Sequence, residues 1–435
     1  MTSSEQEGGA SEGKLGLASG VGLCIASMVG SGIFLSSGYM AQEMSASAIL
    51  VAWACGAALA LLGVKTYAEL ARQVPRSGGE YRYLREYMHP AVAYVAGWAT
   101  VVLGFAAPTA INALAATAFL GTLVSLPHHK VVASLIVVLI ASGHLLGRTS
   151  SRWLQDLLVI AKVLLLMGFV ALGLMAGSHE WPTWEPPTGN TSVAAFVGSL
   201  FYVSYAFSGW NTSAYAAETF KRPRTDVGRA MVIACLLVAG LYMVINFIFV
   251  ANLNPSDAAA VMGPDQATLG HLVTTKLAGV RGAQFMSVLA VMSFVSAMSA
   301  MLMIGPHISA TMASDGALPS YFAAKEGKNP TIGVVFQAAV ALLVILMHDL
   351  QQALESVGAT LILFSGLTAA ALVLGHFRGR LPSPASSASI IAAMLYALFS
   401  CVLLYLGFRD QTALLPWLGG AVLCALVGYR LTGRS

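Results

Sequence analysis

Gly22-Leu-Cys-Ile-Ala-Ser-Met-Val-Gly-Ser-Gly-Ile-Phe34 lies inside an apolar run extending from about residue 15 to residue 40. A helix needs about 20 apolar residues to cross roughly 30 Å of hydrocarbon, so this run is long enough to span a bilayer. Gly30, Ser31 and Gly32 fall near its middle, where a glycine costs a helix about 1 kcal/mol relative to alanine. Tyr205-Ala-Phe-Ser-Gly-Trp-Asn211 places a second small, polar interruption inside another apolar run, five spans further on. A repeat of five helices is odd, so its second copy enters the membrane upside down. Paired interruptions at matching places are the pattern of inverted-repeat transporters, whose discontinuous helices hold a solute near the midplane. The competing reading is that the glycines only let helices pack closely. The partner interruption in the sixth span favours the first reading.

The rest of the composition agrees. Of 435 residues, 57% are hydrophobic and 10% charged, against about 25% charged in an ordinary soluble domain. A soluble multi-domain enzyme is excluded by that shortage of surface charge. No basic tract reads as a nucleic-acid footprint. Cys24, Cys55, Cys235, Cys401 and Cys424 all sit in apolar runs. They form neither a disulfide framework nor a metal-ligand spacing, and the scattered histidines include no HExxH. Neither a metal nor a cofactor is expected.

Twelve candidate spans follow from hydropathy: near 15–40, 46–68, 90–124, 131–147, 154–177, 193–217, 230–252, 284–312, 331–347, 353–375, 387–407 and 412–431. Residues 1–14 are rich in Ser, Gly and Glu and lack a basic segment, so they read as a disordered cytoplasmic tail and not as a signal peptide. With the N-terminus in the cytoplasm, only Lys130, Lys276, Arg281 and Arg409 fall outside, while Lys65 and Lys162 lie within spans. Every other Lys and Arg is then cytoplasmic, in keeping with the positive-inside rule. Both termini are accordingly expected on the cytoplasmic side of a cell membrane. Trp181 and Trp184 are expected to form an interfacial belt outside.

Three segments carry a resemblance. They are Val29-Gly-Ser-Gly-Ile-Phe34, Tyr67-Ala-Glu-Leu-Ala-Arg-Gln-Val-Pro-Arg-Ser-Gly-Gly-Glu-Tyr81, and the stretch from Tyr205 through Gly209-Trp210-Asn211 to Glu218 and Lys221-Arg-Pro223. With them the chain resembles the amino acid–polyamine–organocation superfamily, and within it the bacterial relatives of the L-type amino acid transporters. The likeness runs from about Leu15 to Pro319. It implies an all-α integral membrane protein of about twelve transmembrane helices with a leucine-transporter-like fold. Residues 15–177 and 193–375 would form two inverted five-helix repeats, and 387–431 two additional helices. The resemblance further implies that amides around Gly30, Ser31, Gly32 and Ile33 hold a substrate carboxylate. Carbonyls of Met28, Tyr205 and Ser208 would receive its ammonium, and Phe207, Trp210 and Asn211 would shape or gate the side-chain pocket. One departure stands out: Gly305-Pro-His307 occupies a place where relatives often carry an arginine.

Lys162 lies two turns inside the fifth span, roughly 12–15 Å from Arg152 and Trp153 at 1.5 Å per residue, which is far for snorkelling. The resemblance puts it where sodium-driven relatives bind a cation, so its ammonium would donate to carbonyls freed in the first span, at Ser27 or nearby. Sodium-independent transport by exchange or proton symport is the expectation. Lys65 is expected to snorkel, and His307 to pack as a neutral residue. Glu43, Glu69, Asp156, Glu218 and Glu355 sit at or near span ends, which favours a neutral amino acid over a cationic one or a polyamine of the same fold. Pro108, Thr109 and Asn112 are a further candidate pocket wall. No catalytic cluster suggests an enzyme, no repeated charge ring a channel, and no loop cysteine an accessory subunit. The expected partners are the amino acid and the lipid bilayer.

Overall fold

The structure is a computed structural model describing residues 15–186, 189–254, 256–257, 268–324, 330–347, 350–410 and 429–430. The expected N-terminal tail lies outside these residues, as does the twelfth span save Tyr429 and Arg430. Among the described residues the regular structure is helical, apart from one parallel bridge between Leu15 and Phe220. Eight helices among the described residues are long and apolar enough to cross a membrane, and His129–Leu145, Val193–Ala206 and Thr331–Met347 are shorter apolar helices. This is an all-α, multi-span membrane protein.

The chain passes back and forth between two ends. At one end Leu15 bonds across to Thr219 and Lys221. There too, Arg72 and Gln73 reach Ser383, and Arg82 and Arg85 meet Asp315. The start of the first span, the loop after the second, and the ends of the sixth and eighth therefore share that end, as does the loop after the tenth. At the other end the Ala46 amide donates to the Trp184 carbonyl, and Thr122 from the third span meets His271 and Ser287 beside the eighth. This alternation requires an even number of crossings between each pair of elements at the first end, as the hydropathy reading has it.

Local chemistry explains where the spans depart from simple rods. The third span, Pro90–Gly121, contains a π-helical stretch at Thr100–Ala106 immediately before Pro108. Proline has no N–H and clashes with the carbonyl four residues back, and an expanded turn relieves both demands. The eighth helix, Leu269–Ser314, kinks at Ala278 and Gly279 (φ +60°), so its first two turns form a separate arm before the span. The seventh starts at Pro223, where a first-turn proline loses nothing, about two turns before the apolar run. Trp181 is 63% exposed, whereas Trp184 is buried and donates to the Val250 carbonyl at 2.8 Å; only Trp181 fits the expected belt. Lys65 is exposed, as snorkelling requires.

Candidate functional site

The first span is two helices, Leu17–Met28 and Ser31–Ala41, joined through Val29 and Gly30. Gly30 occupies the N-cap position of the second half but has no side chain to cap with. Asn112 does so from the third span, its Oδ1 accepting the Ser31 N–H at 2.9 Å. That amide is aimed by its other end, Nδ2 donating to the Pro108 carbonyl at 2.7 Å. The next two amides, of Gly32 and Ile33, belong to the set of first-turn N–H groups that no helix satisfies internally.

The carbonyl end of the first half-helix is held by other elements. Lys162, fully buried on the fifth span, donates from Nζ to the Ala26 carbonyl at 3.0 Å and the Val29 carbonyl at 2.8 Å. A helix C-terminus carries partial negative charge, and an ammonium there makes hydrogen bonds about twice as strong as neutral ones. Tyr242 of the seventh span donates its hydroxyl to the Met28 carbonyl at 2.7 Å, with the Ala206 carbonyl 3.0 Å away. Tyr242 therefore bridges the two broken helices.

The sixth span is interrupted after Val193–Ala206 and resumes as the single turn Thr212–Tyr215. Gly209 takes φ +99°, a region that side-chain-bearing residues seldom occupy. It also abuts the first break, for a Cβ built there would lie 2.7 Å from Ser27 Cβ. Gly32 makes the reciprocal contact, since its Cβ would meet Ala206 Cα at 2.4 Å. The glycines thus serve close packing as well as the breaks, and the two readings of them coexist.

The expected site residues divide into two groups. Met28, Gly30, Ser31, Gly32, Ile33 and Tyr205 gather at the first break, all buried. The Tyr205 hydroxyl and Ser31 Oγ share a hydrogen bond of 2.8 Å, while the Tyr205 carbonyl accepts the Ser208 N–H at 2.9 Å within the turn. The lysine contacts fall on Ala26 and Val29, one residue before and two after Ser27. Phe207, Ser208, Trp210 and Asn211 instead line a narrow cavity with Gly56, Ala60, Glu80, Ser365 and Tyr396. Phe207 packs between Trp53 and Tyr242, and Trp210 sits edge-on to Tyr67 at 4.8 Å. Asn211 donates to Glu80 Oε1 at 2.7 Å.

Two residues here escaped the sequence reading. Tyr242 lies in an ordinary apolar run that gave no signal. Glu80 was visible only as part of the Gly78-Gly-Glu-Tyr81 motif, in a loop that hydropathy places outside the membrane. The fold carries this carboxyl to the sixth-span break, so the absence of acids near the breaks, used to favour a neutral solute, does not hold in three dimensions.

A wider cavity lies between the start of the first span and the fifth, lined by Ser19, Gly22, Leu23, Gln155, Val159 and Met303 of the eighth. It follows the face of the fifth span that leads, one turn on, to Lys162.

A profile of the amino acid permease family matches residues 15–419. The chain is 26% identical over 353 residues to the serine/threonine exchanger SteT of Bacillus subtilis, covering 77% of each protein. It is 25% identical to the human large neutral amino acids transporter small subunit 2, over 90% of this chain and 75% of that one. An identity of 26% to mouse cationic amino acid transporter 4 covers 84% of this chain and 60% of the relative. Transport and not catalysis is common to these relatives, and the chain, a membrane-spanning permease of amino acids, belongs to the amino acid permease family.

Proposed function

We propose that the chain carries a neutral amino acid across the cell membrane without sodium, by alternating access, through exchange or together with a proton. Both termini are on the cytoplasmic side, and residues 15–177 and 193–375 act as the inverted halves. The zwitterion lies between the two breaks, its carboxylate on the Gly32 and Ile33 amides and its ammonium on carbonyls at Met28 and the sixth-span turn. The single observation that carries this reading is the pair of hydrogen bonds from Lys162 to Ala26 and Val29. A fixed ammonium at the end of the first half-helix supplies the positive charge that a bound metal cation would otherwise bring to those carbonyls.

Other features support it. The arginines of the loop after the second span share one end with the N-terminal side of the first span, as a cytoplasmic assignment requires. SteT, by its name, exchanges serine and threonine, and the small subunit 2 transporter takes large neutral amino acids; a neutral solute is common to both. No accessory subunit enters the reading.

The test is uptake into proteoliposomes of purified protein. Labelled serine, alanine and leucine are offered in sodium-free buffer, with and without internal amino acid. Uptake that proceeds without sodium and rises with internal substrate is expected. Strict dependence on a sodium gradient removes the assigned role of Lys162. Competition by a decarboxylated amine equal to that by its parent amino acid removes the carboxylate site.

A further inference from the structure

Glu80 opens the short helix Glu80–Tyr87 between the second and third spans and is only 3% exposed. The Tyr67 hydroxyl and the Asn211 amide both donate to Oε1, at 2.8 and 2.7 Å, while the equally buried Oε2 has no hydrogen-bond partner among the described residues. Ionised and half bare in a buried setting, a carboxylate is costly; burial is tolerated once the group is neutral or fully bonded. The cavity beside it gives the centres of water molecules about 40 Å³ of freedom, with Ser204, Ser208, Ser365 and Tyr396 on its walls. That is room for water with polar partners and too little for an amino acid.

Among the described residues no charged side chain faces this carboxyl closely enough to shift it. Phenols face the carboxyl from every side: Tyr67 on the second span, Tyr215 on the sixth, Tyr396 on the eleventh and Tyr83 on its own helix. Arg82 and Arg85, on the same helix, are committed to Asp315 at 3.0 and 2.5 Å. Among the described residues Glu80 itself forms no ion pair. Burial pushes its carboxyl above the ordinary carboxylate value, while the donors around it, Tyr67 and Asn211 among them, pull it down. The loop that bears it is strapped to the sixth span besides, by Gly78 N–H to the Tyr215 carbonyl at 3.2 Å and Glu218 N–H to Ser77 Oγ at 3.1 Å.

We propose that Glu80 is a proton-binding site of the transport cycle: its Oε2 takes a proton from water in the adjoining cavity, and its charge state sets how firmly the loop after the second span holds the sixth-span break through Asn211. The step is a simple protonation, in which hydrated H⁺ passes to the carboxylate, a carboxylic acid forms, and neutral water remains. The new O–H points to the cavity while Oε1 keeps its two donors. This deepens the proposed function, because it assigns proton coupling to the sixth-span side and leaves Lys162 as a fixed charge.

The experiment measures serine uptake into proteoliposomes as the outside is taken from about pH 7.5 to about pH 5.5, with a trapped pH dye reporting proton entry. Wild type is expected to gain several-fold in uptake, with proton entry that follows serine. E80Q, whose amide cannot titrate, is expected to give a flat profile and no serine-linked dye signal, whatever absolute rate it keeps. E80D, which retains a carboxyl, keeps a pH-dependent profile with a displaced midpoint, and serves as the deciding variant if E80Q does not fold. A full pH response in E80Q, or a flat one in folded E80D, overturns the proposal, as does wild-type exchange that is robust but indifferent to pH. That last result leaves the proposed function standing. Absence of any amino acid uptake by wild type instead defeats the proposed function.

Discussion

The two broken helices are held open in opposite ways. At the first, the backbone groups themselves are captured: Lys162 and Tyr242 take carbonyls, and Asn112 takes the Ser31 amide. At the sixth, the chain satisfies its own turn, Ser208 N–H bonding the Tyr205 carbonyl and Thr212 Oγ1 the Gly209 carbonyl at 2.6 Å. Partners from outside add less there: Tyr242 reaches the Ala206 carbonyl, Cys24 Sγ reaches the Trp210 carbonyl, and Glu80 grips a side chain, Asn211. A break whose ends depend on foreign partners is exposed to substitution of those partners. A break closed largely by its own turn is exposed mainly at the residues that let the turn form and at the contact it makes.

The largest effect is therefore expected where the breaks touch. Gly32→Val puts a branched side chain where even a Cβ would stand 2.4 Å from Ala206 Cα. Backbone cannot retreat as a flexible side chain can, and overpacking of this kind costs about 1–3 kcal/mol or more. Loss of monodisperse protein on size-exclusion chromatography is the expected outcome. A Gly32→Val protein that elutes and exchanges like wild type refutes the interlocked contact.

Next comes Lys162→Met, which keeps the length of the stem and deletes the ammonium. Each hydrogen bond to a charged group is worth about 1.5–3 kcal/mol, so losing two predicts a fall in exchange of roughly tenfold or more. The Ala26 and Val29 carbonyls are left buried without their donor. The measurement is serine counterflow at matched reconstitution, and activity within twofold of wild type contradicts the role given to this lysine. Tyr242→Phe removes one neutral hydrogen bond shared by the two breaks, worth about 0.5–1.5 kcal/mol. A smaller loss of exchange and a modest drop in thermal stability in detergent are expected. An unchanged protein would mean that the bridge at Met28 contributes nothing.

The same contrast explains what sequence could reveal. Spans, their alternation and both breaks were legible, because hydropathy over about 20 residues and glycine at mid-span are local signals. Lys162 was legible too, as a charge at the wrong depth. The identity of the carbonyls it reaches was not, since Ala26 and Val29 differ from Ser27 only by rotation about a helix axis. Tyr242 sits one seventh-span face away from other aromatic and apolar residues that look alike in sequence. Glu80 was passed over for a different reason: a loop between spans reads as solvent, and nothing local states that Gly78 and Gly79, both at positive φ, fold it back against Tyr215 and Asn211. Polar networks of high sequence separation (131 residues between Glu80 and Asn211) are the part that composition and spacing do not encode.

The smallest expected effect concerns Glu80 and needs no transport measurement. Burial holds its carboxyl above the ordinary value of 4.5, so the folded state binds this proton more tightly than the unfolded chain does. Its contribution to stability is then fully present below the unfolded value and is lost as pH rises through the folded one. Each unit of difference is worth about 1.4 kcal/mol, and the hydrogen bonds from Tyr67 and Asn211 keep that difference in check. Melting temperature of the purified protein should therefore fall more with rising pH for wild type than for E80Q, the two curves separating on the alkaline side. Parallel curves would mean that Glu80 meets the same electrostatic environment folded and unfolded. The sixth break would then have no acidic partner whose charge matters to it, and the difference between the two breaks would be larger still.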